Sequence, residues 1–202
     1  MALALGKIVK SNAHTDYVCQ VYGRKEVPDS ELPQGENYAF GTFVKIELES
    51  PGDYLVGLVY DTVLLNPEFG RLGPRLSPQA ELAIFTPDYL NERAVLLGIV
   101  AVGSMSLDEV TQRVPRLAAN SDALVYQMDD GDIQHFHNGD GRLNLTYLPT
   151  LIQQQADNPL VYHLARVVLD ELKALLPEHR PMLDVLADDL LWRTQINPMG
   201  GL

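Results

Sequence analysis

The sequence has very little cysteine, and this scarcity excludes two classes of protein. Cys19 is the only cysteine among 202 residues. The chain therefore has no internal disulfide framework and no zinc site built from several thiolates. Because no basic residue adjoins Cys19, we expect its side chain to pack as a small hydrophobic group.

Positive charge is also scarce. The chain carries 15 lysine and arginine residues against 27 aspartate and glutamate residues, which gives a formal net charge of -12. Proteins that bind phosphate backbones gather lysine and arginine on one surface, and this sequence contains no such cluster. We therefore do not expect the protein to bind nucleic acid directly.

Long apolar runs and a targeting signal are missing as well. The most apolar stretch covers only residues 94–103, whereas a membrane-spanning helix needs about 20 residues. The amino terminus has a short apolar stretch without the basic region of a signal peptide. We therefore predict a cytoplasmic protein with no membrane association.

The stretch 94–103 is instead the clearest structural signal in the chain. It is rich in valine, isoleucine and leucine, carries no charge and is bounded by turn-forming residues. These features predict a short strand that is buried on both faces. Gly98 and Gly103 should mark places where the strand bends or where another backbone comes close.

Other segments of the first half predict a β-barrel. Strand-like patterns occur at residues 6–11, 17–22, 42–49, 54–65 and 81–86, with loops and no helical period between them. Such a set favours a small closed antiparallel barrel, because closure removes the unpaired edges of apolar strands. Asp61 interrupts one strand, and it should either face outward or pair with an arginine such as Arg71 or Arg93.

The second half has a mixed pattern. Ser106 and Glu109 have capping-box spacing, which predicts a short helix. Residues 125–128, 133–137 and 143–147 predict short strands, and the Asp-Gly and Asn-Gly turns between them predict a β-hairpin. The last 45 residues predict two amphipathic helices that form an αα-hairpin. We therefore predict a mainly β, α+β protein with a barrel domain at 1–105 and a second domain at 106–202.

A set of motifs in the first half resembles a known module. The motifs are Gly6-Lys-Ile-Val-Lys10, Gly41-Thr-Phe-Val-Lys45, Leu55-Val-Gly-Leu-Val-Tyr60 and Leu96-Leu-Gly-Ile-Val-Ala-Val102. With them, residues 5–105 are similar to the HerA/ATP-synthase (HAS) barrel of hexameric DNA-translocating ATPases and rotary ATP synthases. The resemblance implies a role in assembly and subunit contacts. No G-x-x-x-x-G-K-[ST] motif occurs, so the ATPase domain of that family is absent.

Metal-ligand residue types are densest between Asp129 and Asp140. In a strand, His135 and His137 would point to the same face, which suits zinc or another divalent ion with Asp132 as a third ligand. The alternative interpretation is a solvated hairpin with its acidic residues in turns. Both interpretations are left open at this point.

Together these patterns lead to one functional prediction and two alternatives. We predict a non-enzymatic protein interaction or assembly module that forms a homo-oligomer or binds a protein partner, without a cofactor. The first alternative is a metal-binding protein or metal-dependent hydrolase at residues 129–140. The second is a barrel with an apolar ligand cavity. Trp192 is expected in the core, and an exposed Trp192 would instead be an interface anchor.

Overall fold

The computed structural model describes residues 2–24, 26–28, 31–65, 94–138 and 141–196, except the side chains of 193–196. The strands are β1 (Ala4–Ala13), β2 (Asp16–Val21), β3 (Phe43–Glu47), β4 (Tyr54–Leu65), β5 (Ala94–Met105), β6 (Val110–Thr111) and β7 (Leu124–Gln127). The helices are α1 (Asp130–His137), α2 (Tyr147–Gln154), α3 (Val161–Leu175) and α4 (Arg180–Ile196). The predicted class, mainly β with a helical C-terminal part, is confirmed.

Six of the strands form a closed antiparallel barrel, as predicted. The order around the barrel is β2, β1, β7, β3, β4 and β5, and pairing between β2 and β5 closes the ring. β6 pairs with the end of β5 outside this ring. Because β7 lies between β1 and β3, the barrel uses residues on both sides of the predicted domain boundary at residue 105. The predicted strand at 81–86 lies outside the described residues.

Two apolar cores explain why the central strand is so hydrophobic. Leu97, Ile99 and Ala101 of β5 belong to the core that fills the barrel. Val100 and Val102 belong to the second core, between the outer face of the barrel and the helices. Alternate side chains of a strand point to opposite faces, so this part of β5 is buried on both sides. The predicted strand is therefore confirmed, with burial on both faces from Leu97 to Gly103, whereas residues 94–96 are only partly buried.

Gly103 is the point where a second backbone approaches β5. A Cβ atom placed on Gly103 would lie 2.3 Å from the carbonyl oxygen of Thr111 and 3.0 Å from the Phe136 ring. Only glycine leaves room for this contact. The predicted close approach at Gly103 is confirmed.

The predicted helix after residue 105 is wrong, because Ser106 and Glu109 form the turn between β5 and β6. The Ser106 amide donates a hydrogen bond to the Glu109 carbonyl over 2.8 Å. The Ser106 hydroxyl accepts a hydrogen bond from the Glu109 amide over 3.1 Å. Serine side chains make the same local bond in tight turns as at helix N-termini, so the motif alone does not separate the two structures.

The predicted β-hairpin is also wrong, because residues 133–137 are helical and residues 143–145 have no regular structure before α2 begins at Tyr147. Residues 125–127 lie in β7, but the next segment is helix α1. The Asp129 carboxylate caps α1 by accepting a hydrogen bond from the Asp132 amide over 2.9 Å. Ile133, Phe136 and His137 are buried on one side of this helix. Their spacing of three and four residues is a helical pattern, which outweighs the turn preference of the neighbouring Asp-Gly pairs.

The two C-terminal helices form the predicted αα-hairpin. α3 buries Leu164, Val168 and Leu172, and a short 3₁₀ turn at Pro177–His179 leads into α4. α4 buries Leu183 and Ala187 within the same core. The hairpin therefore covers the outer face of the barrel.

Candidate functional site

The three residues predicted as metal ligands, Asp132, His135 and His137, all lie on helix α1 rather than on a strand. Residues that are two positions apart in an α-helix are related by a rotation of about 200° around the helix axis. His135 and His137 therefore point in nearly opposite directions. His135 is exposed, and its Nε2 lies 3.3 Å from the Ser106 carbonyl oxygen. His137 is completely buried. The shared-face geometry expected for the two histidines is therefore wrong.

Asp132 is held by an ion pair that joins α1 to the barrel. Its carboxylate lies 2.6 Å from Nζ of Lys45 on β3, and both side chains are largely buried. The same carboxylate accepts a hydrogen bond from the Asp129 amide over 3.4 Å, which completes the capping box. The amino group of Lys45 also lies 5.2 Å from the centre of the Tyr54 ring. Asp132 therefore positions the helix.

No group of three potential ligands that could hold a metal ion is found among the described residues. Asp140, the last member of the predicted cluster, lies outside them. The metal site therefore stays a prediction, without the strand geometry that first suggested it.

His137 and Tyr147 form a buried hydrogen-bonded pair. Nδ1 of His137 lies 2.7 Å from the Ile133 carbonyl oxygen, and Nε2 lies 3.0 Å from the Tyr147 hydroxyl. A carbonyl only accepts hydrogen bonds, so Nδ1 carries the proton and Nε2 accepts from Tyr147. Burial lowers the pKa of His137 to about 4, so the imidazole is neutral at pH 7. Both nitrogens are thus used in structural bonds.

Glu171 is a partly buried carboxyl group on α3. Burial, together with the nearby Asp130 carboxylate, raises the pKa of Glu171 to about 7. The charge of Glu171 in turn helps to raise the pKa of the buried Tyr147 hydroxyl. Glu171 therefore exchanges a proton near neutral pH, inside the layer where α3 meets α1.

Helix α4 carries a second row of apolar side chains, which faces solvent. Met182, Val185 and Trp192 are 52%, 68% and 63% exposed. Their spacing of three and seven residues places them on one side of the helix, away from the buried Leu183 and Ala187. We call these three residues the α4 stripe.

The α4 stripe corrects the expectation that Trp192 lies in the core. The core positions of α4 are filled by Leu183, Ala187 and Leu190, on the side where α4 packs against α3. A helical projection of residues 180–196 would have separated the two apolar rows, but would not have shown which row the barrel covers. Trp192 is therefore exposed, which is the condition under which the alternative interpretation makes it an interface anchor.

Acidic residues surround the stripe. Residues 178–192 contain Glu178, Asp184, Asp188 and Asp189 against one arginine, Arg180. Asp184 pairs with Lys173 on α3 over 2.9 Å. Asp188 is exposed, and no ion pair is found for it in the described part of the chain. Asp189 lies four residues after Val185 and three before Trp192, so it falls within the row, and Lys173 offsets the charge of Asp184.

Val63, Leu64 and Leu65 at the end of β4 form a second group of exposed apolar side chains in the described part of the chain. Leu64 is 75% exposed at the end of β4, next to residues 66–93, which are outside the described part. Leu107 is 89% exposed, alone at the tip of the turn between β5 and β6. Asp61 is exposed and faces outward, as one of the two alternatives predicted. Its carboxylate accepts a hydrogen bond from the backbone amide of Thr62.

Comparison with known proteins gives a family but no activity. No curated protein matches this sequence. Among the helices of the described residues, none combines the length and apolar character that crossing a membrane requires. A family described as a domain of unknown function, DUF8166, has a sequence model that matches residues 1–200, and the chain therefore belongs to that family.

Proposed function

We propose that this protein is a non-enzymatic interaction or assembly module that contacts other protein chains through the α4 stripe. The observation that carries the proposal is the alignment of Met182, Val185 and Trp192 on the outer side of a helix. Single exposed hydrophobic residues are common on protein surfaces, whereas an aligned row that includes tryptophan is typical of an interface.

The composition of the stripe suits tight contact. Tryptophan is enriched among the residues that contribute most binding energy at protein interfaces. Its large ring buries much apolar area, and its N–H group can still donate a hydrogen bond. Burial of a valine or methionine side chain adds roughly 1.5–3 kcal/mol. Three such residues on a preformed helix need no backbone folding on binding, which lowers the entropic cost.

The chemistry of the buried polar groups supports a non-enzymatic role. His137 uses both ring nitrogens in hydrogen bonds within the core, and Asp132 is paired with Lys45. Neither side chain is offered to a substrate. The similarity of residues 5–105 to the HAS barrel stays a prediction, and it agrees with a role in assembly.

Affinity capture with two versions of the protein tests this proposal. The wild type and the variant Met182→Ser/Val185→Ser/Trp192→Ser are used as baits in a lysate of the source organism, and each is sized by light scattering at several concentrations. We expect a partner or a higher oligomer with the wild type that is lost with the variant. Leu107→Ser serves as the matched control, because it removes an exposed leucine elsewhere.

Two results would contradict the proposal. One is a wild type that stays monomeric and captures nothing that the triple variant does not also capture. The other is an equal loss of binding in Leu107→Ser. Far-UV circular dichroism of all three proteins separates loss of contact from loss of fold.

A further inference from the structure

We infer that a groove at one end of the barrel binds a free amino acid with an aliphatic side chain. The inference is independent of the α4 stripe, because it concerns a different surface. It is carried by the size of the groove, by its apolar lining and by the opposite charges on its rim.

The groove lies where three segments of the chain meet. Tyr54 at the start of β4 pairs with Met105 at the end of β5, so the turn between β3 and β4 lies beside the turn between β5 and β6. Residues 114–117 form the third wall, and the groove has a volume of about 320 Å³. Sites for small molecules measure about 300–1,000 Å³, so the groove suits a ligand at the small end of this range.

The apolar lining of the groove is mainly aliphatic. Leu55 and Met105 line it and are themselves buried. Val114 and Leu117 also line it, but they are 50% and 61% exposed. A ligand that fills the groove would therefore remove apolar surface of Val114 and Leu117 from water, and this gain is largest if the ligand presents an aliphatic group to them.

Charged side chains of both signs stand on the rim. Arg116 lies on one wall, and the carboxylates of Asp53 and Glu109 come from the two turns. Within the described part of the chain, none of these three side chains forms an ion pair. The carboxylate of Glu109 accepts a hydrogen bond from the Thr111 hydroxyl over 3.4 Å, and no side-chain hydrogen bond is found there for Arg116 or Asp53. The rim therefore offers both a cation and two anions to a ligand.

The charges on the rim favour a zwitterion. The carboxylate of an amino acid can pair with Arg116, while its ammonium group meets Asp53 and Glu109. A fatty acid or another monoanion would satisfy Arg116 but would face the two carboxylates, which repel it. An amine without a carboxylate would leave Arg116 unpaired. A small aliphatic amino acid therefore matches both the lining and the rim.

Titration of the isotope-labelled full chain by NMR tests the inference, because each backbone amide reports on its own position. The ligands are L-leucine, which has both charges, N-acetyl-L-leucine, which lacks the ammonium group, and L-leucinamide, which lacks the carboxylate. The variants are Arg116→Gln and Asp53→Asn/Glu109→Gln. Arg113→Gln and Asp108→Asn are the matched controls, since these two exposed residues lie in the same segments but do not line the groove.

We expect L-leucine to shift the amide signals of residues 104–106, 109–111 and 116–117 in the wild type and in both controls. Each derivative should bind the wild type about five-fold more weakly, as removal of an exposed ion pair does. Arg116→Gln should bind L-leucine and L-leucinamide equally well, because it lacks the group that distinguishes them. Asp53→Asn/Glu109→Gln should bind L-leucine and N-acetyl-L-leucine equally well for the same reason.

Three results would overturn the inference. The first is the absence of shifts at these amides when L-leucine is added to the wild type at millimolar concentrations. The second is equal binding of L-leucine and both derivatives to the wild type, which would mean that the rim charges do not contact the ligand. The third is a preference for L-leucine that persists unchanged in both groove variants. None of these results bears on the α4 stripe, so the proposed function is tested separately.

Discussion

At the scale of single residues, folding shifts the pKa values of Glu171 and His137 within the range from pH 4 to pH 7. The pKa of Glu171 rises from 4.5 to about 7, and the pKa of His137 falls from 6.5 to about 4. Each shift makes stability depend on pH, because the folded and unfolded states then bind different numbers of protons. The two dependences have opposite signs.

Glu171→Gln should stabilise the protein at neutral and higher pH. Between pH 4.5 and about 7 the folded state holds the Glu171 proton and the unfolded state releases it, so stability is lost as pH rises. The variant removes this loss, so its free energy of unfolding at pH 8 should exceed that of the wild type by about 1–2 kcal/mol. This is less than the energy equivalent of the whole pKa shift, because Glu171 keeps some solvent contact. Urea unfolding from pH 4.5 to 8 measures it.

Glu178→Gln is the control for this prediction, because Glu178 has a side chain that is 53% exposed. It should leave the pH dependence unchanged. In Glu171→Gln the opposite effect of His137 should become visible, since stability then falls as pH drops from 6.5 towards 4. A difference between Glu171→Gln and the wild type that does not vary with pH would contradict the prediction.

Tyr147→Phe should lower the free energy of unfolding by about 1–3 kcal/mol, because it leaves the buried Nε2 of His137 without its donor. The affected bond is the one of 3.0 Å between the Tyr147 hydroxyl and Nε2. Chemical denaturation at pH 7 measures the loss. The control is Tyr162→Phe, a partly buried tyrosine on α3. Equal losses in the two variants would show that the hydrogen bond contributes little.

At the scale of elements, the hairpin of β5 and β6 depends on a glycine. Gly103→Ala would bring a Cβ atom to 2.3 Å from the Thr111 carbonyl oxygen and to 3.0 Å from the Phe136 ring. Both β6 and α1 would have to move, so we expect the free energy of unfolding to fall by about 2–3 kcal/mol. Thermal and chemical unfolding measure the change.

Gly35→Ala is the matched control for Gly103→Ala. A Cβ atom at Gly35 would meet nothing within 4 Å. Its effect should stay within about 0.5 kcal/mol, as for ordinary surface substitutions. If both alanine variants were equally stable, β6 could move away from β5 to accommodate a methyl group without loss of stability, and the prediction would be wrong.

At the scale of the whole molecule, the barrel and the helices should unfold together. β7, from the second half of the chain, completes the barrel between β1 and β3. The outer face of β4 and β5 shares one core with α3 and α4. Loss of the helices would therefore expose the barrel strands to water, and loss of the barrel would remove the surface on which the helices pack.

Two independent signals can test this coupling. Cys19 is the only thiol, and its burial in the barrel raises its pKa to about 12, so it reacts only when the barrel opens. Circular dichroism at 222 nm reports mainly on the helices. We expect the two signals to give one common denaturant midpoint within each protein, the wild type and Leu169→Ala. The substitution weakens the shared core, so the common midpoint should be lower in the variant. Loss of helix signal before Cys19 reacts would indicate two separate domains at 1–105 and 106–202.

The local features of the chain were predictable from its sequence. The apolar runs at residues 54–65 and 94–103 predict strands because a strand needs only a short β-branched segment between turns. The apolar period after residue 160 predicts the helices of the C-terminal hairpin in the same local way. The class of fold follows from these elements, since strands without intervening helices favour an antiparallel barrel.

Short polar segments were not predictable in this way. Residues 130–137 contain Asp-Gly and alternating histidines, which match a hairpin as well as a capped helix. The outcome depends on Ile133 and Phe136 being buried against the barrel, which is a tertiary contact. The predicted metal geometry at His135 and His137 depended on the strand interpretation of the same eight residues.

The sequence by itself determined the chain's main strands and helices and its acidic surface, because apolar periodicity and charge act over a few neighbouring residues. Only the tertiary structure decided that β7 fills the sixth place in the barrel, since strand pairing joins residues far apart in the chain. It also decided that Trp192 faces solvent. α4 has two apolar rows and only one is buried in the core that it shares with α3, so the choice depends on how the folded parts fit together.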